Sequence, residues 1–176
     1  RVVEVPVTLD FVPNKAFLNC KNLEKVVIHD EVVEISDSAF ANCLSLTEFN
    51  IPTKVEVIGN EVFKGTAINI NYLPNTIKVL GDNVFEDCKN ITSFTFPESL
   101  SGIPIGTFKN CTNLSTFNFV DQNAILSMGL SAFEGTSLTT FDIPENVISI
   151  SDGLFKDCKL LESVRLFENT NYKFIP

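Results

Sequence analysis

The chain has 176 residues and a formal net charge of −9; 44% of its residues are hydrophobic and 20% are charged. This length and composition are typical of one globular domain with a sizeable core and exclude a disordered chain. The negative charge, with no cluster of Lys or Arg, argues against nucleic acid and anionic lipid as partners. No apolar run in the sequence is long enough to span a bilayer, so we expect no membrane insertion by this segment.

Phe is unusually frequent, with 16 copies, and seven of these recur at intervals of 22 to 25 residues. A fixed spacing of this size indicates a repeat architecture in which each repeat forms one coil of a solenoid. We call the seven recurring residues the anchor phenylalanines and number the coils 1 to 7 by them. The anchors are Phe17, Phe40, Phe63, Phe85, Phe108, Phe133 and Phe155.

Each coil carries the same order of elements around its anchor. Polar residues such as Ser36-Asp37-Ser38 precede the anchor and commonly begin a helix, which predicts a short helical turn (3-10 or α). Cys or Thr stands three positions after the anchor, and an alternating apolar pair such as Val26/Ile28 then predicts a half-buried strand. Pro ends this strand in four coils, and a stretch such as 147–150 predicts a second short strand.

Coils 3 and 6 depart from this pattern because each lacks one residue after its anchor. They read Lys64-Gly65-Thr66 and Glu134-Gly135-Thr136, and the next apolar residue arrives one position early. Coil 3 also has Asn71 where other coils begin the apolar strand pair. Further departures are Val120 and Phe167 in the Pro slot and a longer connection over 121–127.

The segments Ala39–Pro52 (AFANCLSLTEFNIP) and Phe108–Phe119 (FKNCTNLSTFNF) show the repeat most completely. This pattern resembles the leucine-rich repeats of the BspA-like family, and the Phe-Glu-Gly-Thr form at 133–136 is similar to a shorter variant of that repeat. The resemblance covers nearly the whole chain. It implies a right-handed leucine-rich-repeat solenoid with a parallel β-sheet on the concave face and with short second strands and helical turns elsewhere. It also implies interaction or adhesion roles, often at cell surfaces.

We therefore expect one solenoid domain over residues 1–176, with about seven coils and an incomplete repeat at each end. Phe174-Ile175-Pro176 is similar to the start of an eighth coil. Open solenoid ends expose ladder groups and apolar side chains. The ends thus favour either a fragment of a longer array or a homo-oligomer formed through them.

The five cysteines could be metal ligands, disulfides or nucleophiles, but all of them occupy one repeat slot. Thr66 and Thr136 fill that slot in the other two coils. Thr substitutes for Cys in packing and hydrogen bonding but not in thiol chemistry. We therefore predict a ladder of buried, free thiols, with no metal site and no cofactor.

Other residue types offer little for catalysis. His29 is the single histidine, so we do not expect a catalytic base oriented by a third group. We expect His29 to be an exposed residue at the edge of its coil. Asp82 is predicted to cap a helix rather than to bind a cation. Sequons begin at Asn90, Asn110 and Asn113 and become glycan sites only if the chain is secreted.

The side chains between the apolar strand residues point outward, because successive residues of a strand alternate faces. They vary between coils while the core slots hardly do, which is typical of a scaffold with a variable recognition face. One column is Val27, Asn50, Tyr72, Thr95, Asn118, Asp142 and Arg165, and the second is Lys25, Glu48, Ile70, Ser93, Thr116, Thr140 and Ser163. A sheet surface selected only for strand propensity is the alternative.

These observations favour a non-enzymatic module that binds a protein, or alternatively a glycan, through its concave face. An intracellular regulatory scaffold, such as a subunit that directs a phosphatase or kinase, is a second hypothesis, and an enzyme is a third. The compartment stays open, since cell surface, cytosol and nucleus are all compatible with the sequence.

Overall fold

The computed structural model describes residues 1–166 and 173–174, and the fold is a β-solenoid of about seven coils. Its strands are short, as expected when each crosses one face of a coil. In chain order they are β1 Val2–Glu4, β2 Phe11–Val12, β3 Lys25–Val27, β4 Glu34–Ile35, β5 Glu48–Phe49, β6 Val57–Ile58, β7 Val79–Leu80, β8 Ser93–Phe96, β9 Gly102–Ile103, β10 Thr116–Phe119, β11 Ser127–Met128, β12 Thr140–Ile143, β13 Ser149–Ile150, β14 Ser163–Leu166 and β15 Lys173–Phe174.

The strands form two faces, and every pair of neighbours is parallel. The front face, which the resemblance assigns to the concave side, consists of three separate sheets: β1-β3-β5, β8-β10 and β12-β14. The back face consists of two sheets, β2-β4-β6-β7 and β9-β11-β13-β15. Parallel pairing between strands one coil apart is the geometry of a solenoid, so the predicted fold class is confirmed.

The anchor phenylalanines form one continuous stack through the core. Five of them, in coils 2 to 6, are fully buried, whereas Phe17 and Phe155 in the end coils are half-buried. Burial of one such ring contributes on the order of 2–3 kcal/mol, and stacked rings add to this. The centroid distances from Phe17 along the stack to Phe155 are 5.3, 6.0, 5.7, 5.6, 5.8 and 5.7 Å.

A second row of rings from the front strands packs between consecutive anchors, at interplanar angles of 53° to 80° to the anchor rings. Phe94, for example, lies 5.5 Å from Phe85 and 4.8 Å from Phe108 between ring centroids. Phe49, Phe117 and Phe141 occupy the same position in coils 2, 5 and 6. Coil 3 has Asn71 at this position and therefore lacks the wedging ring.

The turn around each anchor is not helical, which corrects the predicted helical turns. The residues two before and two after every anchor have φ between 54° and 72°. Such left-handed residues close β-turns, here joined by hydrogen bonds such as Cys111 N–H to the Phe108 carbonyl at 3.1 Å. Asn, Asp and Gly fill all the positions after the anchor because they tolerate this conformation best. The one 3-10 turn in the described chain is Gln122–Ala124.

These turns are joined from coil to coil by backbone hydrogen bonds that continue without a break from coil 1 to coil 7. At each step the anchor N–H donates to the carbonyl that precedes the next anchor, as in Phe85 N–H to Thr107 O at 3.0 Å and Phe108 N–H to Ala132 O at 2.9 Å. The N–H groups of the two left-handed residues of each turn also donate to carbonyls of the next coil, as in Asp87 N–H to Lys109 O at 2.8 Å. We call this arrangement the turn spine.

Asp82 belongs to the turn spine and does not cap a helix. Its Oδ1 accepts from the Ile105 N–H of the next coil at 3.1 Å. Asp37 and Asn60 accept in the same manner from Asn60 N–H and Asp82 N–H, at 2.7 and 2.8 Å. The polar residues before the anchor therefore link coils to one another.

Candidate recognition face

The register of the front strands aligns the predicted surface residues in columns. Paired positions include Lys25 with Glu48, Ser93 with Thr116, Thr95 with Asn118, Thr140 with Ser163 and Asp142 with Arg165, and an isolated bridge pairs Tyr72 with Thr95. Lys25, Ser93 and Thr95 are half-buried, and the others are exposed, as are Asn50 and Val27. These side chains thus lie in the predicted rows, but the rows are divided among three sheets.

Two ion pairs join neighbouring coils on this face. Lys25 Nζ lies 2.8 Å from Glu48 Oε2, and this hydrogen bond together with the attraction to the carboxylate raises the pKa of Lys25. Arg165 Nη1 lies 3.5 Å from Asp142 Oδ2, a longer contact between two exposed groups. Since both pairs are in contact with solvent, they contribute little to stability and remain able to exchange partners.

Ile70 is half-buried and packs against the core, so its predicted place among the outward residues is wrong. Asn71, the next residue, is exposed although its position is a core slot in other coils. Residues 69–72 form no regular strand in the described structure, and their one ladder contact is the bridge from Tyr72 to Thr95. Tyr72 itself projects to solvent, with 62% of its surface exposed.

Two clefts open on the front face, one between coils 2 and 3 and the other between coils 5 and 6. Cleft 2/3 has a volume of about 320 Å³, and cleft 5/6 about 500 Å³. Cleft 2/3 is lined by Phe49, Asn50, Ile51, Thr53, Asn69, Ile70, Asn71, Tyr72 and Pro74. Cleft 5/6 is lined by Phe117, Asn118, Phe119, Val120, Asp121, Gln122, Thr140, Phe141 and Asp142.

Both clefts coincide with the one-residue deletions in coils 3 and 6. In each case the strand segment after the Gly-Thr turn pairs with the following coil and forms no ladder with the preceding one among the described residues, although the Ser137 N–H of coil 6 still donates to the Leu114 carbonyl of coil 5 at 3.0 Å. The front ladder is therefore interrupted at the two clefts. Among the described residues, coil 3 joins the ladder of coil 4 through the single bridge from Tyr72 to Thr95. The deletions were visible in the sequence, but the clefts were not predicted from them.

The Cys/Thr slot forms different hydrogen bonds in the short coils and in the other coils. The thiols of Cys43, Cys88, Cys111 and Cys158 donate to the anchor carbonyl of the preceding coil at 3.0–3.1 Å. Thr66 and Thr136 instead donate to the anchor carbonyl of their own coil, at 2.8 and 3.0 Å. The slot of a Thr coil therefore lacks the link to the coil before it, although in coil 6 the neighbouring Ser137 Oγ donates to the Thr112 carbonyl of coil 5 at 2.6 Å.

The cysteine ladder is buried in the middle of the stack and open at its start. Cys43, Cys88 and Cys111 are buried, Cys158 is half-buried, and Cys20 is exposed, which corrects the expectation that all five are buried; all five are free thiols. Burial raises the pKa of Cys88 to about 12 and that of Cys43 to about 11. These two thiols are therefore protonated at neutral pH and poor nucleophiles.

The remaining polar residues that the sequence singled out have structural partners. His29 is half-buried rather than exposed, and its Nε2 lies 3.1 Å from the Pro6 carbonyl. The sequon residues Asn90 and Asn113 donate through their amide groups to carbonyls of the preceding coil at 2.8 Å, and Asn110 is a left-handed turn residue. In the part of the chain that the structure describes, no three His, Cys, Asp or Glu side chains converge as metal ligands. No helix within those residues is long and apolar enough to cross a membrane.

The comparisons with known proteins agree on the repeat type. The sequence model of the family "BspA type Leucine rich repeat region" matches in six copies over residues 10–127 and 80–174. No curated protein matches the chain in sequence.

Solved structures of leucine-rich repeat proteins superpose on most of the chain. A leucine-rich cell surface protein from Faecalibacterium prausnitzii is 27% identical with a TM-score of 0.79, covering 93% of this chain and 46% of its own. A leucine-rich repeat protein from Bacteroides ovatus is 18% identical with a TM-score of 0.69, covering 98% and 56%. One from T. pallidum is 22% identical with a TM-score of 0.56, covering 76% and 75%. The chain therefore spans about half the length of the first two proteins.

Proposed function

Because the chain belongs to the BspA-type leucine-rich repeat family, we propose that it is a non-enzymatic recognition module whose front face binds a protein partner. The observation that carries this proposal is the contrast between core and surface slots. The anchor is Phe in all seven coils, while the outward column changes from Asn50 to Tyr72, Asn118 and Arg165. A fixed scaffold with varied outward side chains is suited to recognition.

The chemistry of the front face fits a protein partner. Tyr72 and Arg165 are the types of side chain that dominate binding energy at protein interfaces, and both are largely exposed. Between them lie neutral groups such as Thr116 and Asn118, which can hydrogen-bond without a large desolvation cost. The cell-surface description of the F. prausnitzii protein supports an adhesion or interaction role.

The non-enzymatic part of the proposal rests on the partners of the reactive groups. The lone histidine, His29, is next to the Pro6 carbonyl. The buried thiols of Cys88 and Cys111 donate hydrogen bonds to the anchor carbonyls of the preceding coils. Neither arrangement provides an oriented base beside a nucleophile.

The double variant Tyr72→Ala/Arg165→Ala tests the front face directly. Wild-type and variant proteins are cross-linked to binding proteins from the native source, and the captured proteins are identified by mass spectrometry. We expect the variant to lose the partner while its melting temperature stays nearly unchanged, because both side chains are exposed.

The matched control is Val79→Ala/Lys159→Ala, which removes one exposed apolar and one exposed basic side chain away from the front face. This control keeps the partner if the front face is the binding surface. Equal capture by both double variants would refute the proposal.

A further inference from the structure

We propose that cleft 5/6 binds an extended polypeptide segment, which inserts as an added parallel β-strand between β10 and β12. This inference rests on the recognition role proposed for the front face and names the class of partner and the place where it binds. Four features of the cleft support it: the direction of its free backbone groups, its width, its aromatic floor and its charge.

The backbone groups on both walls of the cleft point into it. In a parallel ladder the N–H and C=O of one residue point to the same side, and successive residues alternate. The Val120 N–H donates to the Phe96 carbonyl in β8 at 3.0 Å, so the backbone groups of Val120 and Asn118 face β8. The N–H and C=O groups of the alternate residues, Phe117 and Phe119, therefore face the cleft. On the other wall, the Thr139 carbonyl accepts from the N–H groups of Glu162 and Ser163 at the start of β14.

By the same alternation, the N–H and C=O groups of Thr140 and Asp142 in β12 face the cleft from that wall. No ladder joins β10 to β12 among the described residues. Two regular strands therefore present free edges to each other, and free edges are templates for a further strand.

The cleft is wider than the spacing of two directly paired strands. Few Cα pairs between β10 and β12 lie within 8 Å, although the walls converge just before the strands, where the Ser137 N–H donates to the Leu114 carbonyl at 3.0 Å. Paired strands are about 4.8 Å apart, so a strand inserted between two others needs a separation of about 9.6 Å. Such an insertion would join β8-β10 and β12-β14 into one five-stranded sheet.

The floor and the mouth of the cleft set the side chains that the inserted strand must carry. The rings of Phe117 and Phe141 are in contact, 5.9 Å apart between centroids, and close the floor with Phe119; Phe141 is buried, so inward side chains meet the exposed parts of the half-buried Phe117 and Phe119. Asp121 and Asp142 lie at the exposed rim; no Lys or Arg lines the cleft, and Asp142 has only the 3.5 Å contact with the exposed Arg165, a pair that can exchange partners. We infer an occupant with alternating apolar and basic residues, the apolar ones inward.

Cleft 2/3 does not provide the same site. Residues 69–72 form no regular strand on one wall, and Ile70 packs toward the core. Its volume is also smaller, about 320 Å³ against about 500 Å³. The two clefts therefore serve as a test pair, because the same sequence change can be made at each.

The test uses the whole chain and a capped seven-residue peptide of alternating valine and lysine, with binding followed by NMR titration. In the first variant, residues 135–137 (Gly-Thr-Ser) are replaced by the four residues Asn-Cys-Thr-Asn that coil 5 has at 110–113. This change restores the missing residue of coil 6, so β12 can pair with β10 and close the cleft. We expect the peptide to bind at least tenfold more weakly.

The matched control makes the same replacement in coil 3, where residues 65–67 (Gly-Thr-Ala) become Asn-Cys-Thr-Asn. This variant should keep wild-type affinity because cleft 5/6 is untouched. Equal affinity for wild type and the coil 6 variant overturns the inference, as does an absence of peptide binding to wild type.

A second measurement does not depend on how the variants fold. Two peptides are N-methylated at alternate residues, so that one cannot donate to β10 and the other cannot donate to β12. Insertion predicts about tenfold weaker binding for both peptides, and weakening of only one or of neither contradicts it. If Tyr72→Ala/Arg165→Ala abolishes partner capture while the peptide fails to bind, the recognition role stands and the inserted strand is refuted.

Discussion

The turn spine and the front face of the same coils differ in continuity. At the turns, three backbone hydrogen bonds per step join every coil to the next from coil 1 to coil 7. On the front face, the ladder is divided into sheets of three, two and two strands. The comparison shows that the spine and the phenylalanine stack hold the solenoid together, which leaves the front face free to open where a coil is short.

Removal of one ring from the middle of the stack should have the largest effect on stability. Phe85 is fully buried between Phe63 and Phe108, and Phe85→Ala would leave a cavity there. We expect a loss of about 3–5 kcal/mol in the free energy of unfolding, measured by denaturant titration. Phe17→Ala, at the half-buried end of the stack, should cost less than half as much. A loss below about 1 kcal/mol for Phe85→Ala would contradict the role of the stack.

The same substitution in the spine and on the front face should give different results. Asn110 is a left-handed turn residue with φ of 57°, so Asn110→Val should cost about 1–2 kcal/mol because a β-branched residue is strained there. Asn118 is exposed in β10, where Val suits a strand, and Asn118→Val should change stability by less than about 0.5 kcal/mol. Similar costs for the two variants would remove the distinction between spine and face.

Alkaline pH should weaken the core. The pKa of Cys88 is raised by burial from 9.0 to about 12, so the unfolded chain releases this proton at lower pH than the folded chain. The stabilising effect of burying the neutral thiol is therefore complete below about pH 9 and declines as pH rises toward 12. Cys88→Ser should reduce this decline, measured as the fall in melting temperature between about pH 9 and pH 12. An equal fall in wild type and variant would contradict the role of the Cys88 thiol.

The smallest effect is expected at the ion pairs of the front face. Lys25→Ala removes the 2.8 Å contact with Glu48, but both groups are exposed. We expect the free energy of unfolding to fall by less than about 1 kcal/mol at low salt, and wild type and variant to be equally stable at high salt. A larger, salt-independent loss would mean that the front face contributes more to stability than its broken ladder indicates.

The phenylalanine stack was predictable from the sequence, because one residue type at a constant spacing can only be buried by stacking. The conformation of the turns was not predicted, since Ser, Asp and Asn before the anchor suit both a helix N-cap and a left-handed turn. The signal was Asn, Asp or Gly two residues after every anchor, as at Asn110 and Gly135.

The predicted surface columns are present, and Ile70 marks the limit of that prediction. A missing residue can be absorbed anywhere between the turn and the strand, so the sequence does not determine which side chain turns inward. In coil 3 Ile70 packs inward and Asn71 is exposed, whereas coil 6 has the same deletion and keeps Phe141 buried. Whether a short coil then pairs with its predecessor depends on the whole stack.

Amide hydrogen exchange tests the contrast between spine and face most directly. The amides of Phe85 and Phe108 in the spine should exchange slowly, at rates near those of global unfolding, whereas those of Phe117 and Asp142 at the cleft walls should exchange fast. Asn118, whose N–H faces β8, is the internal control within the same strand and should exchange slowly. Protection of Phe117 and Asp142 equal to that of Asn118 would contradict the account.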